Sequence, residues 1–266
     1  MGSIDVDAGL LERGHVRAER NGSVLRVSLE RPEARNAQTP STWEALAAVG
    51  HFVRKHEASL TAVVLGGAGP SFSAGLDRRM FTPEGIPGEM SLMSLAQQDD
   101  AGIDASIARI QDAFTWWREV TPVTIAAVQG HAIGAGFQLA LACDILLASP
   151  DAQFAMRETS YGIVPDLAGT WPLVRSVGYS RALEICATGR SVSADEGYRL
   201  GFVTRIVDDL PGGVDGMVQA LSATMPGAVA ALKPLLRDAQ VRTPQEQASA
   251  ERAAQARRLR GLLSGG

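Results

Sequence analysis

Apolar and polar residues alternate near the beginning of the chain, over 15–20 and again over 23–29. Alternation with a period of two is typical of half-buried strands, and the intervening Asn21-Gly22 is the strongest short signal for a two-residue hairpin turn. The pattern therefore predicts a β-hairpin. It changes to helical spacing at Ser41-Thr-Trp-Glu44, which has the form of a capping box and predicts a helix that extends to about Ala58.

Further along the chain, short apolar runs predict strands and longer amphipathic stretches predict helices. We expect strands over 61–65, 123–128, 144–148, 153–156 and 202–207. We expect helices over 101–119, 134–142, 171–177, 180–188, 194–200 and 244–263. Residues 81–100 are rich in Pro, Gly and Met and have no clear period, which predicts a mobile loop.

Strand and helix signals alternate as far as residue 206, whereas the signals over 207–266 are helical. The expected fold class is therefore α/β, with a core domain over 1–206 that carries the functional site and an all-helical C-terminal region over 207–266. Apolar residues of the C-terminal region predict that it packs against a second copy in a homo-oligomer. These residues are Leu221, Val229, Leu232, Leu235 and Leu236.

Composition narrows the class of protein. A chain of 266 residues can bury one substantial core, and no apolar run approaches the roughly 20 residues that cross a bilayer. The net charge of −4 is spread without a basic stripe, and aromatic residues make up 5%, so nucleic acid is not expected as a partner. Residues 1–11 carry acids and do not resemble a signal peptide. We therefore expect a cytoplasmic protein without a membrane partner.

Metal chemistry is not expected from this sequence. Cys143 and Cys186 are the only cysteines, and each lies within an apolar run, which is typical of core thiols. The four histidines are scattered, and no carboxylates around them have the spacing of a metal site.

Two segments rich in glycine and alanine are the most informative feature of the chain. They are Gly66-Gly-Ala-Gly-Pro-Ser-Phe-Ser-Ala-Gly-Leu-Asp77 and Gly130-His-Ala-Ile-Gly-Ala-Gly-Phe-Gln138. Each follows an apolar, β-branched run, so each is predicted to be a tight turn after a strand, where small side chains let a ligand reach backbone N–H groups. Neither has the spacing of a nucleotide-binding loop. Two such turns that face one another could hold a developing oxyanion.

With these segments the chain resembles the crotonase superfamily, the enoyl-CoA hydratases and isomerases, from about Val16 to Leu263. The motifs that carry the resemblance are Arg31-Pro-Glu-Ala-Arg-Asn36-Ala, Phe72-Ser-Ala-Gly-Leu-Asp77, Gly130 to Asp144, Phe154-Ala-Met-Arg-Glu158, Gly162-Ile-Val-Pro-Asp166 and Gly169-Thr170. Agreement at so many places is hard to produce by accident. The resemblance implies a ClpP/crotonase-like spiral of ββα units that forms a homotrimer or a dimer of trimers.

The resemblance also implies an acyl-CoA thioester as the ligand, with CoA as part of the substrate and no further cofactor. The backbone N–H groups of Ala74 and Ala135 are expected to form an oxyanion hole for the thioester carbonyl. The implied substrate-binding residues are Glu33, Arg35, Ser73, Gly75, Leu76, Asp77 and Gln138. Family members commonly continue past the position of Gly266 with a segment that covers CoA, so either a partner subunit covers that side here or CoA is held less tightly.

The catalytic carboxylates are where this sequence departs from the hydratases of the family. Those enzymes use two glutamates to add water, and the first position is Gln138 here, which can orient water but cannot act as its base. The second is retained as Glu158. Asp166 matches an aspartate of a dienoyl-CoA isomerase, so Glu158 and Asp166 are the expected proton shuttles.

Simpler roles compete with each of these assignments. Glu158 could be a surface carboxylate, Asp166 a helix cap and Gln138 a packing residue. Asp77 and Asp144 are expected to stabilise loop and strand ends through backbone N–H groups. The favoured function is double-bond isomerisation of an enoyl-CoA. Hydration, with Gln138 and Glu158 holding the water, is the alternative within the same family. A non-catalytic acyl-CoA binding protein is the third possibility.

Overall fold

The structure is a computed structural model that describes residues 2–225 and 227–263. The strands among these residues are β1 (Gly2–Ser3), β2 (Val16–Asn21), β3 (Val24–Leu29), β4 (Ala62–Gly67), β5 (Val123–Val128), β6 (His131–Ile133), β7 (Ile145–Ala148), β8 (Gln153–Ala155), β9 (Val192–Ser193) and β10 (Arg205–Ile206). The helices are α1 (Ala8–Arg13), α2 (Pro40–His56), α3 (Leu92–Ala96), α4 (Asp100–Glu119), α5 (Ala135–Ala142), α6 (Thr170–Val177), α7 (Tyr179–Thr188), α8 (Ala194–Leu200), α9 (Leu210–Ser222), α10 (Ala228–Asp238) and α11 (Pro244–Leu263). None of the described helices is both long and apolar enough to cross a membrane.

The main sheet has the strand order β1-β2-β3-β4-β5-β7-β10. Strands β1 to β3 are antiparallel, and the pairs from β3 through β10 are parallel. The predicted hairpin is confirmed, because Asn21 pairs with Val24 and Gly22 has a φ of +59° in the turn. A second sheet, in the order β6-β8-β9, lies beside the functional site. The α/β class is therefore confirmed.

Helices α2 and α4 pack together within the larger hydrophobic core. Gly50 on α2 lets the Trp116 ring lie against the backbone, since a Cβ at Gly50 would come within 2.6 Å of that ring. Trp116 and Trp117 are both fully buried and stack with a centroid distance of 3.9 Å. Helix α5 is buried along its whole length, which makes it a rigid base for the residues that it carries.

The C-terminal region attaches to the sheet through a smaller apolar cluster. Helix α9 contacts β4, β5 and β7, and Leu221 and Val229 pack against this cluster. Lys233 of α10 places its Nζ 2.6 Å from Oδ2 of Asp144, whose carboxylate also accepts hydrogen bonds from the backbone and hydroxyl of Thr124. These contacts fit the structural role expected for Asp144. The division of the chain at residue 206 stays a prediction.

The structure corrects three local predictions. The capping box at the start of α2 is formed by Thr39 and Thr42, because Pro40 occupies the first helical position, where its missing N–H costs nothing. The stretch 81–100 contains α3, which has a capping box between Ser91 and Ser94. The last strand is limited to β10, which is shorter than the predicted 202–207.

Candidate active site

A cavity of about 780 Å³ opens where the loops after β3, β4 and β6 meet the segment after β8. All the predicted site residues except Ser73 line it. They are Glu33, Arg35, Ala74, Gly75, Leu76, Asp77, Ala135, Gln138, Glu158 and Asp166. The structure therefore brings together residues that are more than 130 positions apart in the sequence.

The loop after β3 is fixed to the loop after β4 by Asn36. The Asn36 side chain accepts a hydrogen bond from the backbone of Arg31 and donates to the carbonyl oxygens of Ala68 and Ser71, all between 2.8 and 2.9 Å. Arg35 and Asn36 both have left-handed backbone conformations, with φ of 51° and 53°. This conformation turns the chain so that Glu33 and Arg35 line the cavity.

The prediction that Ala74 supplies an oxyanion-hole N–H is wrong. The Ala74 N–H donates to the carbonyl oxygen of Arg35 at 2.8 Å and is not free to bind a ligand. Two residues later, the N–H of Leu76 has no acceptor among the described residues, and Leu76 lines the cavity. The glycine-rich composition predicts the turn. It does not predict which peptide N–H faces the cavity, because small residues allow several sets of backbone angles.

The N–H of Ala135 is the second donor that has no acceptor among the described residues. Ala135 is the first residue of α5, where backbone N–H groups have no partner within the helix, and the helix dipole there favours negative charge. Gly75 packs closely against this point, because a Cβ on it would lie 2.3 Å from the carbonyl oxygen of Ile133 and 3.4 Å from the Ala135 nitrogen. The donors of Leu76 and Ala135 consequently face the same cavity from adjacent segments.

Ser73 does not contact the cavity, which corrects its prediction as a substrate-binding residue. Its side chain is fully buried, and its hydroxyl donates to the carbonyl oxygen of Asn36 at 2.8 Å. The Ser73 hydroxyl oxygen in turn accepts hydrogen bonds from the Gly75 N–H and from Nε2 of Gln38. Ser73 therefore stabilises the loop from within.

Asp77 lines the cavity, but its carboxylate is engaged with arginines. Oδ2 lies 2.7 Å from Nη1 of Arg31 and 2.8 Å from Nη2 of Arg79, and Oδ1 accepts from the Arg79 backbone N–H. The hydrogen bonds from Arg79, followed by those from Arg31, hold the pKa of Asp77 well below its usual range despite its burial. These contacts fit the structural role that the sequence suggested.

Glu158 has one bound and one unbound carboxylate oxygen. Its Oε1 accepts a hydrogen bond of 2.7 Å from Nε2 of Gln138, whereas Oε2 is buried and has no partner among the described residues. Burial raises the pKa of Glu158, and the nearby charge of Asp166 adds to the increase. The surface role considered for Glu158 is therefore wrong, since the residue is 7% exposed.

Asp166 presents a second carboxyl group to the cavity. Burial raises the pKa of Asp166 as well. The competing role as a helix cap does not apply, because the N-cap of α6 is Gly169 and none of the described side chains caps this helix. The backbone carbonyl of Asp166 accepts a hydrogen bond of 2.5 Å from Nε2 of Gln111, which ties this segment to α4.

The far wall of the cavity contains two aromatic residues that sequence reasoning missed. Phe81 and Tyr161 lie with ring centroids 4.8 Å apart, and both line the cavity. Arg157, next to Glu158 in the chain, lines it too. Arg31, which also lines the cavity, belongs to a motif that the sequence analysis identified. No sequence pattern indicates that Phe81 and Tyr161 lie together.

Comparisons with known proteins agree with this fold and site. A sequence model of the enoyl-CoA hydratase/isomerase family matches residues 19–259. One similar structure is a Thermobifida fusca YX protein named as an enoyl-CoA hydratase, solved in complex with CoA. It superposes with a TM-score of 0.90 at 42% sequence identity, over 97% of this chain and 98% of that one. A Thermobifida fusca YX protein of the same description, in complex with acetoacetyl-CoA, gives the same TM-score and identity over 96% of this chain and 98% of its own.

Curated relatives agree as well. A carnitinyl-CoA dehydratase of Salmonella paratyphi A is 34% identical over 82% of this chain and 78% of its own length. A probable enoyl-CoA hydratase of Mycobacterium bovis is 32% identical over 72% of this chain and 69% of its own. The fold is thus the crotonase fold, as the resemblance implied. The chain belongs to the enoyl-CoA hydratase/isomerase family and, like that family, is an enzyme.

Proposed function

We propose that this enzyme moves a carbon–carbon double bond along the acyl chain of an enoyl-CoA thioester. Binding of CoA in the 780 Å³ cavity is supported by the related structures in complex with CoA and acetoacetyl-CoA. Glu33 and Arg35 would contact the CoA portion at the cavity mouth, and no cofactor besides the substrate's own CoA is proposed. The observation that carries the proposal is a buried carboxyl group, Glu158, and a half-buried one, Asp166, in the same cavity as two N–H donors that have no acceptor among the described residues.

The free N–H groups of Leu76 and Ala135 would bind the thioester oxygen. Removal of a proton from the carbon next to the thioester moves negative charge onto that oxygen, and fixed N–H donors stabilise the resulting enolate more than the neutral carbonyl. The N-terminus of α5 adds a favourable dipole. Loss of one such donor typically costs about 3 kcal/mol of barrier.

Glu158 and Asp166 would carry the proton between two carbons. Two carboxyl groups in one desolvated cavity tend to separate their pKa values, so that one is ionised and the other protonated. Glu158 accepts a hydrogen bond from the Gln138 side chain that favours its ionised form, so we assign Glu158 as the base and Asp166 as the acid. Glu158 takes a proton from C2 of a 3-enoyl-CoA and Asp166 gives one to C4. A proton then returns from Glu158 to Asp166 through solvent.

Gln138 disfavours hydration in this site. Water addition by two acidic groups needs a second carboxyl group at the position that Gln138 occupies. A side-chain amide cannot act there as a general acid or base, because it does not titrate near neutral pH. The Gln138 oxygen already accepts hydrogen bonds from the backbone N–H groups of Leu167 and Gly169, at 2.9 and 3.3 Å. It therefore has little capacity left to orient a water molecule.

Hydration is nevertheless the second candidate, because the relatives are named as hydratases and a dehydratase. In that reaction Glu158 alone would serve first as base and then as acid. The two functions are separated by incubating the protein with 3-enoyl-CoA and 2-enoyl-CoA thioesters of several chain lengths and identifying the products by mass spectrometry. We expect 2-enoyl-CoA from the 3-enoyl substrate at the same mass. A product heavier by one water as the dominant species would contradict the proposal.

A further inference from the structure

We propose that Gln138 is a positioning residue that leaves Oε2 as the single reacting oxygen of Glu158 and also fixes the turn over 166–169 that carries Asp166. This inference rests on the proposed function, in which Glu158 and Asp166 exchange protons with the substrate. It assigns a task to the amide at the one position where the chain departs from a two-glutamate hydratase. The contacts of both ends of the Gln138 side chain carry it.

The orientation of the Gln138 amide is fixed by its surroundings. The backbone N–H groups of Leu167 and Gly169 require an acceptor, and the amide oxygen is the only acceptor in this side chain. The nitrogen must then point to Glu158, where it donates to Oε1 over 2.7 Å. One oxygen of Glu158 is thus engaged, and Oε2, which is buried and has no partner in the described part of the chain, is the atom available for proton transfer.

The space around Gln138 is filled on the side of the turn. Gly169 has a φ of −73°, which any residue adopts, so glycine is required there for space and not for its backbone conformation. A Cβ on Gly169 would lie 2.6 Å from Cγ of Gln138 and 3.0 Å from its Oε1. Because α5 is entirely buried, Gln138 cannot move away without disturbing the core. The amide, the turn and Glu158 therefore form one rigid unit.

A glutamate at position 138 would not reproduce this arrangement. Its carboxylate could still accept from Leu167 and Gly169, but its second oxygen would face Oε1 of Glu158 at hydrogen-bond distance. Two carboxylates so close together cannot both be ionised. Gln138→Glu therefore separates the two tasks of the residue, since it keeps the contact with the turn and replaces the fixed amide donor by a carboxyl group that shares one proton with Glu158.

Titration of Glu158 tests the inference without relying on turnover. The protein is labelled with ¹³C at the glutamate carboxyl carbons, and the signal of Glu158 is identified by its loss in Glu158→Gln. Removing the donor in Gln138→Met should raise the titration midpoint of Glu158 by about one pH unit, and Gln138→Glu should raise it further. Gly169→Ala, which displaces the amide without changing its chemistry, should move the midpoint in the same direction.

Gln111→Met is the matched control. Gln111 is also a half-buried amide. It holds the 166–169 turn through a hydrogen bond to the carbonyl oxygen of Asp166, but it does not contact Glu158. Its loss should leave the midpoint of Glu158 unchanged. With a 3-enoyl-CoA substrate, Gln138→Met should lower kcat about tenfold with little change in KM. The acid limb of the pH profile of kcat should shift together with the titration midpoint of Glu158.

An unchanged Glu158 midpoint in both Gln138→Met and Gln138→Glu, in folded protein, would overturn the inference and reduce Gln138 to a packing residue. Failure of the proposed function has a different signature. In that case the unmodified protein would not isomerise any enoyl-CoA in the panel, while the titration would still report whether Gln138 controls Glu158.

Discussion

The backbone N–H of Ala74 donates a hydrogen bond of 2.8 Å to the carbonyl oxygen of Arg35. Arg35 can present its carbonyl in this direction because its backbone is left-handed, with a φ of 51°. The bond consumes the N–H at Ala74 and leaves the next unpaired N–H of the turn at Leu76. One contact between two loops thus decides which peptide group is free to bind a thioester oxygen.

Replacing Ala135 with proline should remove the second donor of the oxyanion hole selectively. Proline is well tolerated at the first position of a helix, so α5 should form normally. Turnover of the enoyl-CoA substrate should fall by about 10²-fold to 10³-fold. Ala135→Gly retains the N–H and is the control, which should stay within a few-fold of the unmodified protein. Full activity of a folded Ala135→Pro variant would remove Ala135 from the oxyanion hole.

Glu158→Gln should make the protein more stable at neutral pH while it abolishes isomerisation. Burial raises the pKa of Glu158 in the folded state, so at pH values between the unfolded and the folded pKa the folded protein holds a proton that the unfolded chain has already released. Stability is therefore lost as the pH rises from the unfolded value through the folded one. Replacement with a neutral amide should increase the free energy of unfolding at pH 7 by about 1 kcal/mol.

Urea denaturation at several pH values measures this difference. The gain should disappear below about pH 4, where the carboxyl group is protonated in both states. Glu184→Gln is the control, because hydrogen bonds from Arg190 lower the pKa of Glu184 and its replacement should bring no gain. If Glu158→Gln increased the free energy of unfolding equally at every pH, the increase would not come from removing the buried charge of Glu158, and the prediction would be contradicted.

The enzyme should form a homotrimer or a dimer of trimers through its C-terminal region. Leu221 and Val229 pack within the subunit, but Leu232 and Leu236 of α10 are 48% and 62% exposed. Burial of such residues at an interface is favourable by roughly 25 cal/mol per Å². Light scattering at micromolar concentration should give at least three times the subunit mass, and Leu232→Ser with Leu236→Ser should reduce it. A monomeric unmodified protein would contradict this prediction.

Periodicity in the sequence predicts the elements of this fold well. Strand β5 and helices α8 and α11 have the predicted ends, because apolar spacing and flanking Gly or Pro residues define them locally. The sequence does not predict helix α3, since five residues are too few to establish a period. The start of α2 was misplaced because two overlapping cap patterns compete there, and Pro40 decides between them.

The site was predictable as a set of residues but not as a set of contacts. The glycine-rich turns and the resemblance brought Glu158, Asp166 and Gln138 into one cavity. Sequence alone could not assign the free N–H to Leu76, because that depends on the conformation of Arg35 in another loop. It also could not reveal that Gln138 uses both ends of its amide, since its partners lie 20 to 31 positions away.

The central claim is that Glu158 and Asp166 form the proton-transfer pair of an isomerase, and rates of isomerisation and hydration for three variants test it most directly. Asp166→Asn should lower isomerisation by about 10²-fold or more, because the acid that protonates C4 is lost. Gln138→Ala should have a smaller effect, and Gln138→Glu should not produce strong hydration. If Asp166→Asn retains full isomerase activity while Gln138→Glu hydrates 2-enoyl-CoA rapidly, the protein is a hydratase that has lost its first glutamate, and the two-acid isomerase account is contradicted.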